Sequence, residues 1–471
     1  MKKSLLIMLL ITSVISQSRA QFKMYGMTFA GGAYDSGVIF TITPNGSFNK
    51  VVDLNHTYAD LPYGSLLLAS DNNFYGMSWG GGYHDSCTMF RCTPTGNVST
   101  LINMDSTWGG GSGAHGSLIQ ATDGNLYGMV YEAGNSNLGL IFRYVIATGK
   151  YTVLHNFTDS SGGNPYGDLL QANDGNLYGM TSIGGLAGNG TIFKCSLAGT
   201  FSVIFNFTHD SGISPHGSLI QAADGFLYGM TSSGGDSSGG TIFKCSLNGN
   251  FAVIHSFTGI DTGRLYGYNP MGSLIQGSDG NLYGLTHSGG AYGFGVLFQC
   301  TTSGTFKKLV DFDSTNGSYP QGSLSQASDG LLYGMTTYGG SDNLGTIFKC
   351  TTAGSLTTLL NFDGTNGATP MYGRVIEASA ELGINGLLNQ SSALTFYPNP
   401  NNGNFTVLLK GISPKNQITI FNILGEQVYQ SSLNATSNQI EMSSKADGPY
   451  LYRVISETGE LVGQGEFVIQ K

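Results

Sequence analysis

The stretch Gly322–Phe362, GSLSQASDGLLYGMTTYGGSDNLGTIFKCTTAGSLTTLLNF, holds one whole unit of a phrase that recurs along most of the chain. Four short apolar runs alternate with turn signals inside it. Gly322–Ala327 is the first, and Ser328-Asp-Gly330 closes it as a tight hairpin, since glycine tolerates positive φ. Leu331–Thr337 is the second, broken by Tyr338-Gly-Gly-Ser-Asp-Asn343. Thr346–Thr351 is the third, closed by Ala353-Gly354, and Leu356–Phe362 is the fourth. Run length, alternation and breakers favour strands, and no useful length carries a helical period.

The anchor Tyr-Gly-Met/Leu stands at Tyr25, Tyr75, Tyr127, Tyr178, Tyr228, Tyr283 and Tyr333, with gaps of 50, 52, 51, 50, 55 and 50 residues. A fixed period in this range marks an array, a solenoid or a propeller. Four strands per unit repeated radially is the propeller arrangement. The ends of the array point the same way. The first unit enters directly at Lys23-Met-Tyr-Gly-Met27 without an opening run, and a spare opening run, Gly373-Arg-Val-Ile-Glu-Ala-Ser379, follows the last unit. A ring latched by both termini leaves no exposed sheet edge to template aggregation, whereas an open solenoid needs capping units. The expectation is an all-β chain: a seven-bladed β-propeller over residues 21–380, its first blade shared between the two ends of the array.

Composition limits the partners. The formal charge is −9 and only 10% of residues are charged, which argues against a nucleic-acid or anionic-membrane surface, where basic patches dominate affinity. The 72 glycines sit at fixed places in a pattern rich in Leu, Ile, Phe and Tyr, so they read as turn and close-approach residues. Residues 1–20 read as a secretory signal peptide: Lys2 and Lys3, the apolar run Leu5–Ile15, and the small-x-small site Ser18-Arg-Ala20. That run is too short to span a bilayer, and no transmembrane segment is expected in the mature chain.

Cys92, Cys195, Cys245, Cys300 and Cys350 occupy one repeat position, filled by Ile42 and Tyr144 in the other units. A position that accepts Ile and Tyr is a packing position. Equivalent residues of neighbouring blades should lie beyond the roughly 7 Å Cα limit for a disulfide. Cys87 and Cys92 fall on opposite sides of one strand. Buried free thiols are expected, and no Cys-x-x-Cys spacing suggests a metal.

Residues 381–393 form a polar, non-repeating connector, and from Leu394 the register changes. Short alternating runs separated by Pro, Asn and Gly over 394–471 suggest a small β-sandwich, Ig-like in type. This block resembles the C-terminal sorting domain of type IX secretion in Gram-negative Bacteroidetes-type bacteria. The resemblance rests on Tyr397-Pro-Asn-Pro400 with Gly403, the run Ile418–Gly425 with Val428, Gly448-Pro-Tyr-Leu-Tyr452 and a final strand ending in Lys471. It implies passage across both membranes, the type IX machinery as partner of residues 394–471, and attachment to the surface or release. The repeats, through Gly-Ser-Leu, Asp-Gly-Asn-Leu-Tyr-Gly and Gly-Thr-Ile-Phe, resemble the GloVer-type tandem repeat over residues 22–379; that resemblance carries no activity.

In a four-stranded meander the loops alternate between two faces. The first-to-second and third-to-fourth turns are short and uniform, as in Thr122-Asp-Gly-Asn125 and Leu197-Ala-Gly199. The other face carries long, variable loops such as Trp79–Asp85, Tyr131–Leu138, His209–Pro215 and Gly259–Met271. Function sits on variable loops held by a rigid scaffold, so that face is expected to bind. Directly before each opening Gly lie Tyr63, His115, Tyr166, His216, Met271, Gln321 and Tyr372, expected around the mouth of a central channel. Ending the second strands are Phe29, Trp79, Tyr131, Ser182, Ser232, His287 and Thr337. Aromatics with polar tips at a concave mouth suit a sugar or a peptide. The plain alternative is that they cap the channel by packing on one another. The binding candidates are Tyr63, His115, Tyr166, His216, Gln321, Tyr372, Trp79, Tyr131 and His287.

Other residues weaken on inspection. His155 and His255 align with Phe205 and Leu360 and read as packing. The repeated Asp of Asp-Gly is what hairpins want. Asp313-Ser-Thr-Asn-Gly317 and Asp363-Gly-Thr-Asn-Gly367 resemble oxygen-rich calcium loops but lack the bidentate acid that closes one, so a turn is favoured over a calcium ion, and no other cofactor is expected. The Gly-Gly pairs precede no helix and make no phosphate cradle. Three functions compete: a non-catalytic binding or adhesion module for glycan or protein ligands, favoured; a polysaccharide lyase or glycoside hydrolase drawing on His84 with Asp85, Glu132, His209 with Asp210, or Arg264; and a structural surface component. No catalytic residue is assigned.

Overall fold

The computed structural model describes residues 22–83, 86–104, 111–257, 264–378, 394–399, 401–409, 415–422, 427–456 and 461–471. The expected signal peptide (1–20) and connector (381–393) lie outside the described residues. The chain divides into two compact units, Phe22–Ala378 and a C-terminal one.

Within Phe22–Ala378 the described strands form seven four-stranded antiparallel sheets. Six follow the chain in order, as in Ser325–Gln326, Leu332–Thr336, Thr346–Cys350 and Leu356–Asn361. The remaining sheet has the order Phe48–Asp53, Val38–Ile42, Lys23–Met27, Ile376–Ala378. Its last pairing joins the two ends of the array, Lys23 to Ala378, Met24 to Glu377 and Tyr25 to Ile376. The spare opening run therefore supplies the strand that the first unit lacks.

The opening strands are shorter than their apolar runs suggest, two residues, or three at Ile376–Ala378, rather than six. The Gly-Ser half of each run spends its hydrogen bonds on the next sheet instead. Ser65 N–H donates to Ser117 Oγ (2.8 Å), Ser117 N–H to Asp168 Oδ1 (2.5 Å) and Asp168 N–H to Ser218 Oγ (2.7 Å). Ser218 and Ser273 continue to Ser273 Oγ and Ser323 Oγ, and Ser323 N–H reaches the Gly373 carbonyl (3.4 Å). Arg374 N–H returns to Ser65 Oγ (2.9 Å), and the cycle is closed. The glycine before each of these residues is required by close approach: a Cβ on Gly167 would stand 2.4 Å from the Gly217 carbonyl oxygen.

Packing follows from strand alternation. Each hydrophobic layer mixes two neighbouring sheets. Phe193 and Cys195 pack with Tyr127, Met129 and Ile141 of the preceding unit, whereas Ile192, on the other side of the same strand, packs with Leu227 and Phe243 of the following one. A layer of Met24, Phe40, Ile42, Tyr333, Ile347 and Val375 joins last unit to first. All six cysteines are buried free thiols, and burial pushes the Cys195 thiol up to about 11. Cys87 sits one residue before the strand Thr88–Cys92 rather than within it, its Sγ on Met104 Sδ at 3.7 Å.

The anchor motif acquires physical reasons. In Tyr178-Gly-Met180 the tyrosine ring is buried, and its hydroxyl donates to Asp174 Oδ2 of the preceding hairpin at 2.9 Å. The same bond recurs from Tyr75 to Asp71 and from Tyr333 to Asp329, so the hairpin aspartate has a partner as well as a turn to make. Gly179 pairs across the sheet with Phe193, whose ring covers it.

The C-terminal unit has two antiparallel sheets among its described residues. One is ordered Leu394–Tyr397, Asn404–Leu409, Ser437–Glu441; the other Gln427–Leu433, Asn416–Phe421, Gly448–Ser456, Leu461–Ile469. Both contribute to a single core that includes Phe405, Val407, Ile418, Ile420, Val454 and Phe467.

Candidate functional site

The residues before the axial glycines converge. Tyr63 lies 4.6 Å from His115, His115 4.6 Å from Tyr166, and Tyr166 4.3 Å from His216, ring centroid to ring centroid. Tyr372 closes across the axis on Tyr63 at 5.8 Å and on Tyr166 at 6.1 Å. The second-strand residues join from outside: Trp79 at 5.3 Å and Tyr131 at 4.6 Å from His115. Seven of the nine sequence candidates thus form one contiguous cluster. Edge and tilted contacts dominate, as quadrupolar rings prefer. His115 is buried and its neighbours half-buried, so the cluster caps the axis by mutual packing. His287 stands elsewhere, 5.1 Å from Tyr319 with its Nδ1 on Ser288 Oγ at 2.8 Å. Gln321 holds the equivalent register position with no ring to offer.

Under the cap lies a cavity of about 20 Å³, bounded by His115, Tyr166, His216 and Tyr372 and by Asp168, Ser218, Ser273 and Arg374. Among the described residues the Nδ1 atoms of His115 and His216 are buried without a hydrogen-bond partner. Burial lowers both imidazoles to about 4, helped at His115 by the neighbouring His216. Burial and the hydroxyls of Tyr63 and Tyr131 push the Tyr372 phenol up to about 12.

An acid sensitivity follows. These histidines stay neutral in the fold down to about 4, against an ordinary value of 6.5. A lowered folded value lends stability that is whole above 6.5 and drains as the pH falls from 6.5 towards 4. At about 1.4 kcal/mol per pH unit, the full loss is on the order of 3 kcal/mol for each. Urea unfolding between pH 7 and 4 should show it. A variant with His115→Tyr and His216→Tyr, the residue that other units place there, should lose stability less steeply over that range. Equal slopes would contradict the assignment.

The variable loops carry what sequence reasoning missed. Every exposed large hydrophobic side chain described in Phe22–Ala378 lies on the long-loop face: Tyr34, Tyr58, Tyr83, Ile183, Leu186, Leu265, Tyr266, Tyr292 and Tyr338. Tyr83 and Leu186 are 88% and 90% exposed. Their loops are pinned from beneath. Side-chain oxygens at the ends of the fourth strands accept backbone N–H groups of the tips: Asp53 from Ala33 (2.9 Å), Asn103 from Tyr83 (3.2 Å), Asn206 from Leu186 (2.9 Å) and Asp311 from Ala291 (2.7 Å). The second glycine of each Gly-Gly pair makes room for that side chain. Gly185 has φ of 77°, and a Cβ there would stand 2.6 Å from Asn206 Oδ1. The available signal was an apolar residue one or two positions after the pair, in Gly32-Ala-Tyr34, Gly82-Tyr83 and Gly290-Ala-Tyr292.

The remaining candidates resolve individually. His155 stacks on Phe201 at 3.7 Å and His255 on Phe306 at 4.2 Å, as Phe205 does on Phe251. Asp313 Oδ1 accepts from Thr315 and Asn316 of its own turn, and Asp363 from Thr365 and Asn366. His209 and Asp210 stand 3.7 Å apart and well exposed. Glu132 is in the short strand Glu132–Ala133, paired with Gly111–Ser112. His84, Asp85 and the side chain of Arg264 lie outside the described residues. Among the described residues no group of three or more His, Cys, Asp or Glu gathers as a metal site would require, and no helix is long and apolar enough to cross a membrane.

The Gloeobacter/Verrucomicrobia repeat model matches residues 109–266 and 262–397, more than half of the chain. The chain belongs to this repeat family. Residues 395–470 match the secretion system C-terminal sorting domain. That tail, of the type IX system, directs this repeat protein to the cell surface or to secretion and engages the type IX machinery. No curated protein matches the sequence. Among solved structures, the periplasmic gluconolactonase PpgL of Pseudomonas aeruginosa is similar at 16% identity and a TM-score of 0.54, over 76% of this chain and 99% of its own. PorZ, a surface component of the type IX secretion system of Porphyromonas gingivalis, is similar at 13% identity and a TM-score of 0.41, over 95% of this chain and 58% of its own. The likeness to PpgL supports a propeller-like fold and nothing about chemistry.

Proposed function

We propose that this chain is a surface-displayed or secreted binding module. In this reading residues 21–380 are a closed seven-bladed propeller with a shared first blade, and 394–471 an Ig-like sorting domain behind a connector at 381–393. Residues 1–20 are the export signal. The long-loop face of the propeller binds, without catalysis, a glycan or protein ligand. One observation carries the binding role: the exposed large apolar side chains gather on that face, on loops pinned by hydrogen bonds. Rigid aromatic tips lose little entropy on binding, and a phenol ring offers both an apolar face and a hydroxyl. The half-buried cluster of Tyr63, Trp79, Tyr131, Tyr166, His216 and Tyr372 around the buried His115 is the floor of that face.

Glycan-array and surface-protein binding test the reading. Tyr34→Ala, Tyr83→Ala and Tyr292→Ala combined should weaken binding by about tenfold or more, equivalent to about 1.4 kcal/mol, and leave the melting temperature within about 2 °C of the parent. Trp79→Ala should instead lower the melting temperature, because its ring is part of the floor. Binding untouched by the three tyrosine changes sinks the loop-face reading. Release of fragments from a polysaccharide would put an enzyme in its place.

A further inference from the structure

The exposed tyrosines of the long-loop face are not spread evenly round the repeat unit. Tyr266, Tyr292 and Tyr338 belong to the sixth and seventh units and the loop that leads into them, and Tyr34, Tyr58 and Tyr83 to the first and second. The closing strand makes these four units consecutive, so the rings follow one arc. Among the described residues the third, fourth and fifth units expose no tyrosine, and their large apolar tips are Ile183 and Leu186.

Charge on this face is one-sided. Each loop from a fourth strand to the next opening strand carries an aspartate, and five of the seven second-to-third loops carry Asp or Glu. Lysine occurs in none of these loops, and arginine only at 264 and 374. Every lysine between residues 22 and 378 lies within a strand instead, and Lys50 and Lys308 are engaged with Asp53 and Asp311 at 2.8 Å. The loop carboxylates stand among the tyrosines. Asp35 follows Tyr34, and the Asp363 turn is fixed beside that loop by Gly32 N–H on the Gly364 carbonyl (2.7 Å). Asp342 shares a loop with Tyr338, which Gly340 N–H ties to the Ser314 carbonyl of the Asp313 turn (2.8 Å). Asp35, Asp342 and Asp363 are exposed, and none of the three makes an ion pair among the described residues. Each accepts a hydrogen bond inside its own loop, from Gly31, Ser341 and Thr365 in turn, which orients the carboxylate and leaves its charge in place.

We propose that the partner of this arc is a basic polypeptide, a protein segment with several lysine or arginine side chains, laid along the tyrosines of the sixth, seventh, first and second units. The inference rests on the loop-face reading above and names the class of its ligand. A tyrosine face attracts an ammonium or guanidinium group, and a carboxylate beside it accepts that group's N–H. The summed negative field of the loops speeds encounter with a cationic partner and turns away acidic polysaccharide and nucleic acid. The aliphatic tip Leu265, exposed beside Tyr266, suits an apolar side chain and has no donor or acceptor for a sugar hydroxyl.

The probe is a fluorescein-labelled peptide of alternating lysine and glycine, titrated with the full chain and followed by fluorescence anisotropy. Saturable binding is expected, weaker by about tenfold when sodium chloride is raised from about 50 to about 300 mM. Asp35→Asn, Asp342→Asn and Asp363→Asn combined keep the side-chain oxygens that hold the loops and remove the charge. This variant should bind about tenfold more weakly. Tyr34→Ala with Tyr292→Ala should weaken binding by about threefold or more, which diffuse attraction to a negative protein does not produce. Melting temperatures within about 2 °C of the parent show that the variants fold. No saturable binding, or equal affinity in the parent and either variant, overturns the proposal. So does a chitosan oligosaccharide that binds more tightly than the peptide, because the ligand is then a cationic glycan. Array glycans that bind through Tyr34, Tyr83 and Tyr292 while the peptide does not bind leave the loop face as the site and remove only the basic partner.

Discussion

Replacing residues 373–378 by a Gly-Ser spacer of equal length is expected to destabilise the repeat unit by roughly 5 kcal/mol and to make it self-associate. Val375 is fully buried in the layer between the last unit and the first, and its loss costs about 2 kcal/mol. Glu377 holds the neighbouring hairpin through the N–H and Oγ of Ser328, both at 2.6 Å, and charge-assisted bonds of this kind contribute about 2 kcal/mol. The three-residue ladder to Lys23–Tyr25 adds about 1 kcal/mol. Against a typical stability of about 5–15 kcal/mol, that is a large share. The strand Lys23–Met27 also becomes a free edge, which invites pairing with another chain. Urea unfolding and light scattering check both halves. An unchanged midpoint in a monomeric sample would mean that the closing strand is ornamental.

The second large effect lies in the middle of a sheet. Phe193→Ala should cost about 3–5 kcal/mol, as truncation of a buried aromatic does. The ring is fully buried, stacks 5.3 Å from Phe201 and meets Phe157 edge-on at 5.3 Å. Gly179→Ala should cost about 1–3 kcal/mol by overpacking, because its new Cβ would stand 2.5 Å from Phe193 Cζ. With both changes the alanine methyl enters space that the ring has vacated. The double variant should therefore be more stable than the sum of the single losses by about 1 kcal/mol or more, a coupling that a double-mutant cycle reads directly. Strict additivity would remove the ring-over-glycine explanation of the Tyr-Gly-Met motif.

Much of this fold is legible in one line of residues because it repeats. The turn after each opening run, the alternation in the second and third strands, and the shared side of Phe193 and Cys195 are local properties. A repeated unit states them seven times. Closure was legible for a different reason: Lys23 enters without an opening run and Gly373–Ala378 is left over, a surplus and a deficit that match. The length of the opening strands was not legible. Their Gly-Ser half pairs with residues about one period away, and such a bond leaves no mark in the local pattern. The hairpin aspartate shows the same limit, since Asp174 satisfies a turn by itself and the tyrosine hydroxyl 2.9 Å away adds nothing to its sequence signature.

The site divides along the same line. By itself the sequence determined which face carries variable loops, which residues occupy the axial register, and that the C-terminal block addresses the chain for export. Only the tertiary structure decided that Tyr63, His115, Tyr166 and Tyr372 meet one another while Tyr34, Tyr83 and Tyr292 meet solvent. Both groups are tyrosine-rich and both stand within two residues of a glycine. What separates them is distance from the axis: residues some fifty positions apart are drawn together where the sheets converge and spread apart where they diverge. Burial at that mouth is therefore set by the radius of the closed cycle, which no stretch of neighbouring residues encodes.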